Sequence, residues 1–465
     1  MSERYKTITF DDFSGGEQCD MIKPPAGSFK SSENLVIQSN KIKLGKKLKG
    51  GVLYDSGLDD PTSDGKKLSF RYGAYVYVLA TDGVDCFIKR CLMTDGSWTA
   101  VKTLPDSGDE VHCFIKFRGK AIANYFDDAG AVYLTKYASI SAMAGAWADT
   151  NLVALSGINS FIIEDYVIIH DRLYILGSDL KIYYSDDGIT FALLTTLDSF
   201  YDYTSLEYLA GYLYVVNTAY NSVGGLVRIS LSGEIQDEVV SVGQNSDFSH
   251  RVFAGNSYIL IDRRSLYRVE GTDLILVFKF ENAVQFIPSS EFVNLLFFWD
   301  SSDNVIIEMN IDEKMSRSLY VLAAVSTASF LHKYGNYIFC VCASAGNTKV
   351  ALYSDDYIVS GNIQTRLAKL KSQGVPKQLV LRHRSLTANA WVKVYVKVDQ
   401  AAAWGSAVIT SNAINAVKKV YDFPAGTELD FIEFKIEYGT DDSSETPEDA
   451  TLDFIYLPTG LANSK

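Results

Sequence analysis

Asp171-Arg172-Leu173-Tyr174-Ile175-Leu176, followed closely by Lys181-Ile182-Tyr183-Tyr184-Ser185, is the stretch on which the fold turns. A turn residue opens it, an aromatic-rich apolar run follows, a few polar residues intervene, and a second aromatic run closes it. Two such runs separated by a turn read as a β-hairpin. The same pattern recurs along the chain. Gly211-Tyr212-Leu213-Tyr214-Val215-Val216 pairs with Leu226-Val227-Arg228-Ile229-Ser230, and Gly255-Asn256-Ser257-Tyr258-Ile259-Leu260 pairs with Leu266-Tyr267-Arg268-Val269. Gly73-Ala74-Tyr75-Val76-Tyr77-Val78 opens an earlier copy, and Gly335-Asn336-Tyr337-Ile338-Phe339 with Val350-Ala351-Leu352-Tyr353-Ser354 forms a later one. Weaker copies lie at Gly119 to Tyr133 and at Asn294 to Glu308.

Tyr174, Tyr214 and Tyr258 stand about 40 and 44 residues apart, the length of one four-stranded propeller blade. A blade cannot bury both of its faces alone, so blades stack side by side and close into a ring. The sequence therefore predicts an all-β protein with a six- or seven-bladed β-propeller over 66–362. The composition agrees: 29 Tyr and 25 Phe favour pleated, half-buried surfaces. Ala138 to Gly145 is read as one short helix or an ordered loop, and long helix-period runs are absent.

The two ends lack the blade rhythm. Residues 1–65 predict an extended arm containing one strand pair, Glu33-Asn34-Leu35-Val36-Ile37 with Lys41-Ile42-Lys43-Leu44, turned by Gln38-Ser39-Asn40. Asp59-Asp60-Pro61-Thr62-Ser63-Asp64-Gly65 is turn-rich and reads as a linker. Such a segment cannot bury a core of its own, so it is expected to order against a neighbouring subunit. Residues 363–465 predict strands at Gln378–His383, Ala390–Val398, Phe431–Tyr438 and Thr451–Leu457. The middle two largely alternate apolar and polar residues, which marks sheets with one wet face. About 100 residues of this kind suggest a C-terminal β-sandwich.

Charge and cysteine usage narrow the function classes. The chain carries 43 Lys and Arg against 56 Asp and Glu, a net charge of −13. That balance favours solubility and opposes broad binding to nucleic acid, which requires cations to neutralise phosphates. Six cysteines without a C-x-x-C, and five histidines without ligand spacing, read as free thiols in a reducing compartment and predict no metal or other cofactor. Met1 to Lys6 has no apolar signal core and no stretch approaches 18 apolar residues, which predicts neither export by that route nor a membrane-spanning segment.

Tyr184-Ser185-Asp186-Asp187-Gly188-Ile189-Thr190-Phe191 resembles the Asp-box turn of sialidases and other propellers, one residue short and with Phe in place of Trp. Ser185, Asp187, Gly188 and Phe191 are assigned a folding role, with the polar side chains bonding turn backbone and the aromatic ring plugging the space between strands. Phe70-Arg71-Tyr72-Gly73 lacks the proline of the sialidase Phe-Arg-Ile-Pro motif, and no catalytic signature of another class stands out. Two basic clusters contrast with the acidic whole. Lys41, Lys43, Lys46, Lys47 and Lys49 form one; Arg366, Lys369, Lys371, Lys377, Arg382 and Arg384 form the other. Each is either a solvated face or a charged contact with an acidic partner.

Phe13-Ser14-Gly15-Gly16, followed by Glu33-Asn34-Leu35 and Lys43-Leu44-Gly45-Lys46-Lys47, is similar to the start of many bacteriophage tail proteins. In those, Phe-x-Gly-Gly leads to an Asn-Leu/Val strand, a turn with Gly and Leu-x-x-Arg-x-Gly. Here Ser39-Asn40 replaces the turn glycine and lysines replace the arginine. Gly361-Asn362-Ile363-Gln364-Thr365, before a two-sheet domain, extends the resemblance to the other end. It covers both ends of the chain and names the tail nozzle or tail hub family of short-tailed phages. It implies a non-enzymatic virion protein, assembled in the host cytoplasm into a ring, commonly sixfold in that family. That ring docks to the portal, adaptor or other tail proteins, and DNA passes through it without specific binding. Phe13, Gly15, Gly16, Lys41, Lys43, Lys46, Lys47, Lys49, Arg366, Lys369 and Lys371 are the candidate partner contacts. A carbohydrate-binding or sialidase-like propeller and an intracellular scaffold propeller are the competing classes.

Overall fold

The computed structural model describes residues 67–458, apart from brief gaps between strands and a longer one at 441–449. Within the first 66 residues it describes the strands Lys6–Phe10, Ser31–Glu33, Leu35–Gln38, Lys41–Leu44, Lys46–Leu48 and Tyr54–Asp59. The protein is all-β. Among the described residues the α-helix is confined to Leu152–Ser156, with a 3₁₀ turn at Ile140–Ala142 inside the segment read as a short helix or loop. The chain divides into two compact units, one formed by 50–304 and 322–352, the other by 1–49, 305–321 and 353–465.

In the first unit, antiparallel four-stranded sheets follow one another in the manner of a β-propeller. The first contains Ser69–Tyr72, Tyr75–Thr81, Cys86–Leu92 and Trp98–Thr103, in that spatial order. The second contains Ser107–Phe117, Lys120–Asp127, Val132–Ser139 and Ala148–Asp149. Ile163–Ile169, Arg172–Gly177, Lys181–Ser185 and Phe191–Thr196 make the third. The fourth runs Asp202–Leu209, Tyr212–Thr218, Val223–Ser230, Ile235–Gln244, and the fifth Phe248–Phe253, Asn256–Ile261, Ser265–Glu270, Asp273–Lys279. Val284–Ile287 then pairs with Leu295–Asp300. The last sheet of this unit is built on Thr327–Tyr334, Tyr337–Ser344 and Asn347–Tyr357.

The strand sequences follow from where they sit. Second strands such as Tyr75–Thr81 and Arg172–Gly177 are buried almost throughout, because a sheet lies against each of their faces. A strand buried on both faces must be a near-continuous apolar run, and that run is the pattern legible in the sequence. Fourth strands such as Trp98–Thr103 are partly exposed and carry polar residues. Apolar clusters fill the spaces between successive sheets. The first strands of the sheets pack on one another in series: Ser69–Tyr72 on Ser107–Phe117, that on Ile163–Ile169, then Asp202–Leu209, then Phe248–Phe253. The series returns on itself. Val76, Val78, Ala80, Cys91 and Met93 of the first sheet share a cluster with Phe339 and Val341 of the last, and Ser69 Oγ lies 3.0 Å from His332 Nε2.

Tight turns join first to second strands. Arg118-Gly119, His170-Asp171 and Ala210-Gly211 each place two consecutive residues at positive φ between register pairs. That is the two-residue hairpin turn whose twist matches the strands it joins. Arg118, His170, Asp171 and Ala210 adopt it without the freedom of glycine, so the turn geometry is set by the sheets around them.

The N-terminal strands pair within the chain. Tyr54–Asp59 lies along Asn347–Val350 and adds an outer strand to the last sheet, through Asn347↔Asp59, Lys349↔Asp55 and Val350↔Tyr54. In the second unit Lys6–Phe10 pairs with Ala450–Pro458, and Ser31–Glu33 with Ser360–Gln364. Leu35–Gln38 and Lys41–Leu44 form the hairpin expected from the sequence, while Lys46–Leu48 pairs with the end of Asn347–Tyr357. The segment read as an arm waiting for a neighbouring subunit thus finds backbone partners in its own chain. The unpaired backbone groups of a lone strand make such addition to a sheet edge favourable.

The second unit is organised by two long strands, Ala368–His383 and Leu429–Thr440. Leu429–Thr440 is flanked by Ser360–Gln364 and Ala390–Val398. The end of Ala368–His383 lies between Ala450–Pro458 and Val417–Asp422, and its beginning pairs with Leu429–Thr440. Leu379, Leu381, Val392, Val394, Ile432, Phe434, Ile436, Leu452 and Phe454 from all of these strands meet in one core.

Candidate functional site

The Asp-box-like turn joins Lys181–Ser185 to Phe191–Thr196 in the third sheet. Ser185 Oγ donates to Asp187 Oδ1 at 3.0 Å and accepts the Gly188 N–H at 2.8 Å. Asp187 Oδ1 also accepts the N–H groups of Ile189 and Thr190, each at 2.8 Å. Gly188 has φ +75°, and a Cβ there would stand 3.0 Å from the Phe117 ring and 3.1 Å from Ile122, so the position combines a left-handed backbone with close packing. Phe191 is buried, and its backbone N–H and C=O both bond the Asn151 side chain, at 2.6 and 3.0 Å. Slight desolvation of the Asp187 carboxylate acts to raise its pKa, but the Thr190 and Ile189 N–H bonds and the Ser185 hydroxyl outweigh it and hold the carboxyl below its ordinary value. A lowered carboxyl contributes stability above its unfolded pKa and loses it as the pH falls through the folded value. We expect Asp187→Ala to cost about 1 kcal/mol at neutral pH, a modest value because the side chain is exposed. Urea unfolding at pH 7 and at low pH checks it: the cost should shrink as the carboxyl is protonated.

A second polar constellation, which sequence reading did not find, lies on and beside the first strands of the sheets, which pack on one another in series. Lys67 Nζ stands 2.7 Å from Asp165 Oδ1 and donates to the Tyr166 carbonyl at 2.7 Å. It also lies 4.8 Å from the centre of the Tyr166 ring. Asp165 accepts the N–H of Tyr166 at 2.8 Å and of Leu206 at 2.9 Å. One carboxylate therefore ties the approach to the first sheet, the third sheet and the fourth. Arg251 of the fifth sheet bonds Glu207 of the fourth at 2.7 Å. Burial alone would lower the Arg251 pKa; the charges of Glu207 and Asp165 more than offset it and raise it. These charges satisfy one another in pairs, an arrangement suited to holding sheets together. Lys67 and Asp165 are nearly 100 residues apart, so no local spacing announces them.

A recurring cation–ring contact was also missed. Arg90 stacks over Tyr75 at 4.5 Å and Arg228 over Tyr212 at 4.6 Å. Both are diagonal pairs, in which the tyrosine opens the second strand and the arginine lies on the third. In the third sheet the partners are exchanged: Arg172 opens the second strand and stacks over Tyr184 of the third at 4.7 Å. Diagonal neighbours lie within reach of long side chains. The repeat of Tyr and Arg at these offsets was the signal that could have revealed them.

Of the candidate partner contacts, Phe13, Gly15, Gly16, Lys49 and Arg366 lie outside the described residues. Lys41 and Lys43 lie on the strand Lys41–Leu44, Lys46 and Lys47 on Lys46–Leu48, and Lys369 and Lys371 on Ala368–His383. Among the described residues, the strands of the first cluster pair with Leu35–Gln38 and Asn347–Tyr357, and not with the strand that carries Lys369 and Lys371. Among the described residues no three His, Cys, Asp or Glu side chains are grouped to hold a metal ion, and no helix is long and apolar enough to cross a membrane.

No protein family matches the chain, and no curated protein does. Solved structures share its arrangement only distantly. The computationally designed Ika8 protein is 13% identical, with a TM-score of 0.41, covering 65% of this chain and 100% of its own. A streptogramin B lyase is 10% identical, with a TM-score of 0.44, over 67% of this chain and 98% of the lyase. The exo-β-1,3-galactanase of Phanerochaete chrysosporium, in a structure with galactose, is 10% identical with a TM-score of 0.32, over 91% of this chain and all of the other.

Proposed function

We propose that this chain is a structural protein of a phage tail, a nozzle or hub subunit that forms a ring around the DNA exit path. The observation that carries the reading is one combination: the Phe13-Ser14-Gly15-Gly16 opening and its following lysine-rich hairpin, then consecutive four-stranded sheets, then a second all-β unit at the C-terminus. The propeller has seven blades in this reading, the sixth built from Val284–Ile287, Leu295–Asp300, Val305–Asn310 and Met315–Val321, and the seventh completed by Tyr54–Asp59. The second unit is a β-sandwich whose layers share the long strand Ala368–His383. The protein performs no catalysis. Its paired charges Lys67–Asp165 and Arg251–Glu207 neutralise one another, and its role is to dock, through the two basic clusters, to copies of itself and to the portal, adaptor and other tail proteins. DNA slides through the ring of copies, whose passage is lined by carboxylates and neutral groups, because cations along the wall would add affinity with every phosphate neutralised.

Mass spectrometry of purified virions, with negative-stain imaging of the particles, tests the assignment. The chain should be a stoichiometric tail component of sixfold symmetry. A chain present only as a free monomer in host cells, and absent from particles, overturns it.

A further inference from the structure

One sheet face of the second unit carries aromatic rings and ammonium groups that the core does not use. In Ala390–Val398, Val392 and Val394 enter the core, so alternation puts Trp391, Lys393, Tyr395 and Lys397 on the opposite face. Leu429–Thr440 sets Gly439 opposite Trp391, Glu437 opposite Lys393, Lys435 opposite Tyr395 and Glu433 opposite Lys397. The Trp391 ring lies over Gly439, where a Cβ would collide with three of its atoms. Lys393 Nζ stands 3.9 Å from the centre of that ring. Lys435 Nζ stands 4.2 Å from the centre of the Tyr395 ring and 5.7 Å from that of Trp404, which the loop after Ala390–Val398 brings to the same place. Trp391, Lys393, Tyr395, Trp404 and Lys435 are all half-buried, so each keeps part of its surface in solvent. Covering a glycine accounts for Trp391. It accounts for neither the other two rings nor the charges. Glu437 stands opposite Lys393, a position suited to a cross-strand ion pair. Yet Glu437 accepts the Tyr395 hydroxyl at 2.5 Å, and Lys393 turns to the ring instead. Among the described residues Lys393 and Lys435 have no carboxylate partner, while Glu433 lies 4.0 Å from Lys397. Two ammonium groups without counter-ions therefore sit among three rings, with Trp391 and Tyr395 about 13 Å apart along the strand.

We propose that this face binds an acidic polysaccharide, one whose sugars carry carboxylates. The apolar C–H faces of the sugar rings pack on Trp391, Tyr395 and Trp404, while the carboxylates draw Lys393 and Lys435 off the aromatic rings. A cation over a solvent-facing ring is held weakly, so the ligand displaces it readily. Charge complementarity and the aromatic platform together carry the assignment. An acidic peptide would need the lysines but not the three rings. Sugar hydroxyls donate as well as accept, which suits Glu433 and Glu437 on the same face; nucleic-acid phosphates only accept. The inference stands whether or not the protein belongs to a phage tail.

The test uses the full-length chain and fluorescein-labelled oligosaccharides of hyaluronate, alginate and polygalacturonate, read by fluorescence anisotropy. At least one should bind saturably, and more weakly as salt is raised. The double variant Lys393→Gln with Lys435→Gln should bind at least about tenfold more weakly. Trp404→Ala should weaken binding to a similar degree. The lysine variant leaves the core and the rings in place, so its melting temperature should stay near that of the parent; this separates lost binding from lost folding. Binding of none of the three saccharides overturns the proposal, and so does equal binding by the lysine variant. Poly-L-glutamate binding as tightly as the best saccharide would reduce the face to a charge contact and overturn it. Tighter binding of a single-stranded oligothymidylate would make the face a nucleic-acid contact and likewise overturn it.

Discussion

Replacing Asp165 with alanine should destabilise the ring of sheets by about 3–5 kcal/mol, because it strands a cation. Lys67 is 15% exposed and Asp165 8%, and their 2.7 Å contact is the ammonium's nearest charge. Removing the carboxylate leaves Lys67 in a low-dielectric site. It also withdraws the acceptor from the N–H groups of Tyr166 and Leu206. The reverse change, Lys67→Met, should cost less. Asp165 would keep both N–H donors and the field of Arg251, and the methionine replaces the apolar stem of the lysine. The double variant should be no worse than Asp165→Ala alone, since the stranded charge is then gone. Chemical unfolding of the two single variants and the double one measures this. Additive losses would mean that the two side chains do not interact.

The second large effect is acid sensitivity from His250. Its imidazole is buried on Phe248–Phe253, with Nε2 at 2.5 Å from Ser257 Oγ. Burial, reinforced by the adjacent Arg251, holds the ring neutral and pulls its pKa down to about 3. In the unfolded chain the group regains an ordinary value near 6.5, so the unfolded state binds the extra proton between these limits. The neutral ring's contribution is therefore complete above pH 6.5. It is lost progressively as the pH falls toward 3 and is constant below. The slope is about 1.4 kcal/mol per pH unit, and the whole loss about 4–5 kcal/mol. His250→Gln keeps a hydrogen-bonding partner for Ser257 without a titration. That variant should be less stable at pH 7.5, yet lose stability between pH 6 and 4 with a slope one proton shallower than the parent. An unchanged slope would assign the acid sensitivity to other groups.

The parts of this architecture legible in the sequence are those set by neighbours along the chain. Tyr75–Thr81, Arg172–Gly177 and Tyr212–Thr218 announce themselves because a strand buried on both faces must be apolar throughout. The Asp-box-like turn is visible because Ser185, Asp187 and Gly188 bond backbone within a few residues of themselves. What the sequence hid was long-range register. Nothing in Tyr54-Asp55-Ser56-Gly57-Leu58-Asp59 points to Asn347, and nothing around Lys67 points to Asp165. The weak copy at Gly119–Tyr133 is a full hairpin, Lys120–Asp127 with Val132–Ser139, and only the fourth strand of its sheet, Ala148–Asp149, is short. Of the candidate contacts, the lysines on strands could be placed on their backbone, while the Phe13–Gly16 motif depends wholly on resemblance.

The strand Tyr54–Asp59 has a consequence for biosynthesis. It is made first and completed last: its partner Asn347–Val350 leaves the ribosome about 290 residues later, roughly 15–60 s at bacterial-like elongation rates. During that interval the first sheet has no neighbour for the flank formed by Val76, Val78 and Cys91, because Phe339 and Val341 do not yet exist. The nascent chain is an open arc with one apolar side unsatisfied. Folding of the first sheets can proceed vectorially, but the ring can be sealed only after translation of its final sheet. Premature termination anywhere before residue 350 should therefore yield an aggregation-prone product instead of a smaller ring.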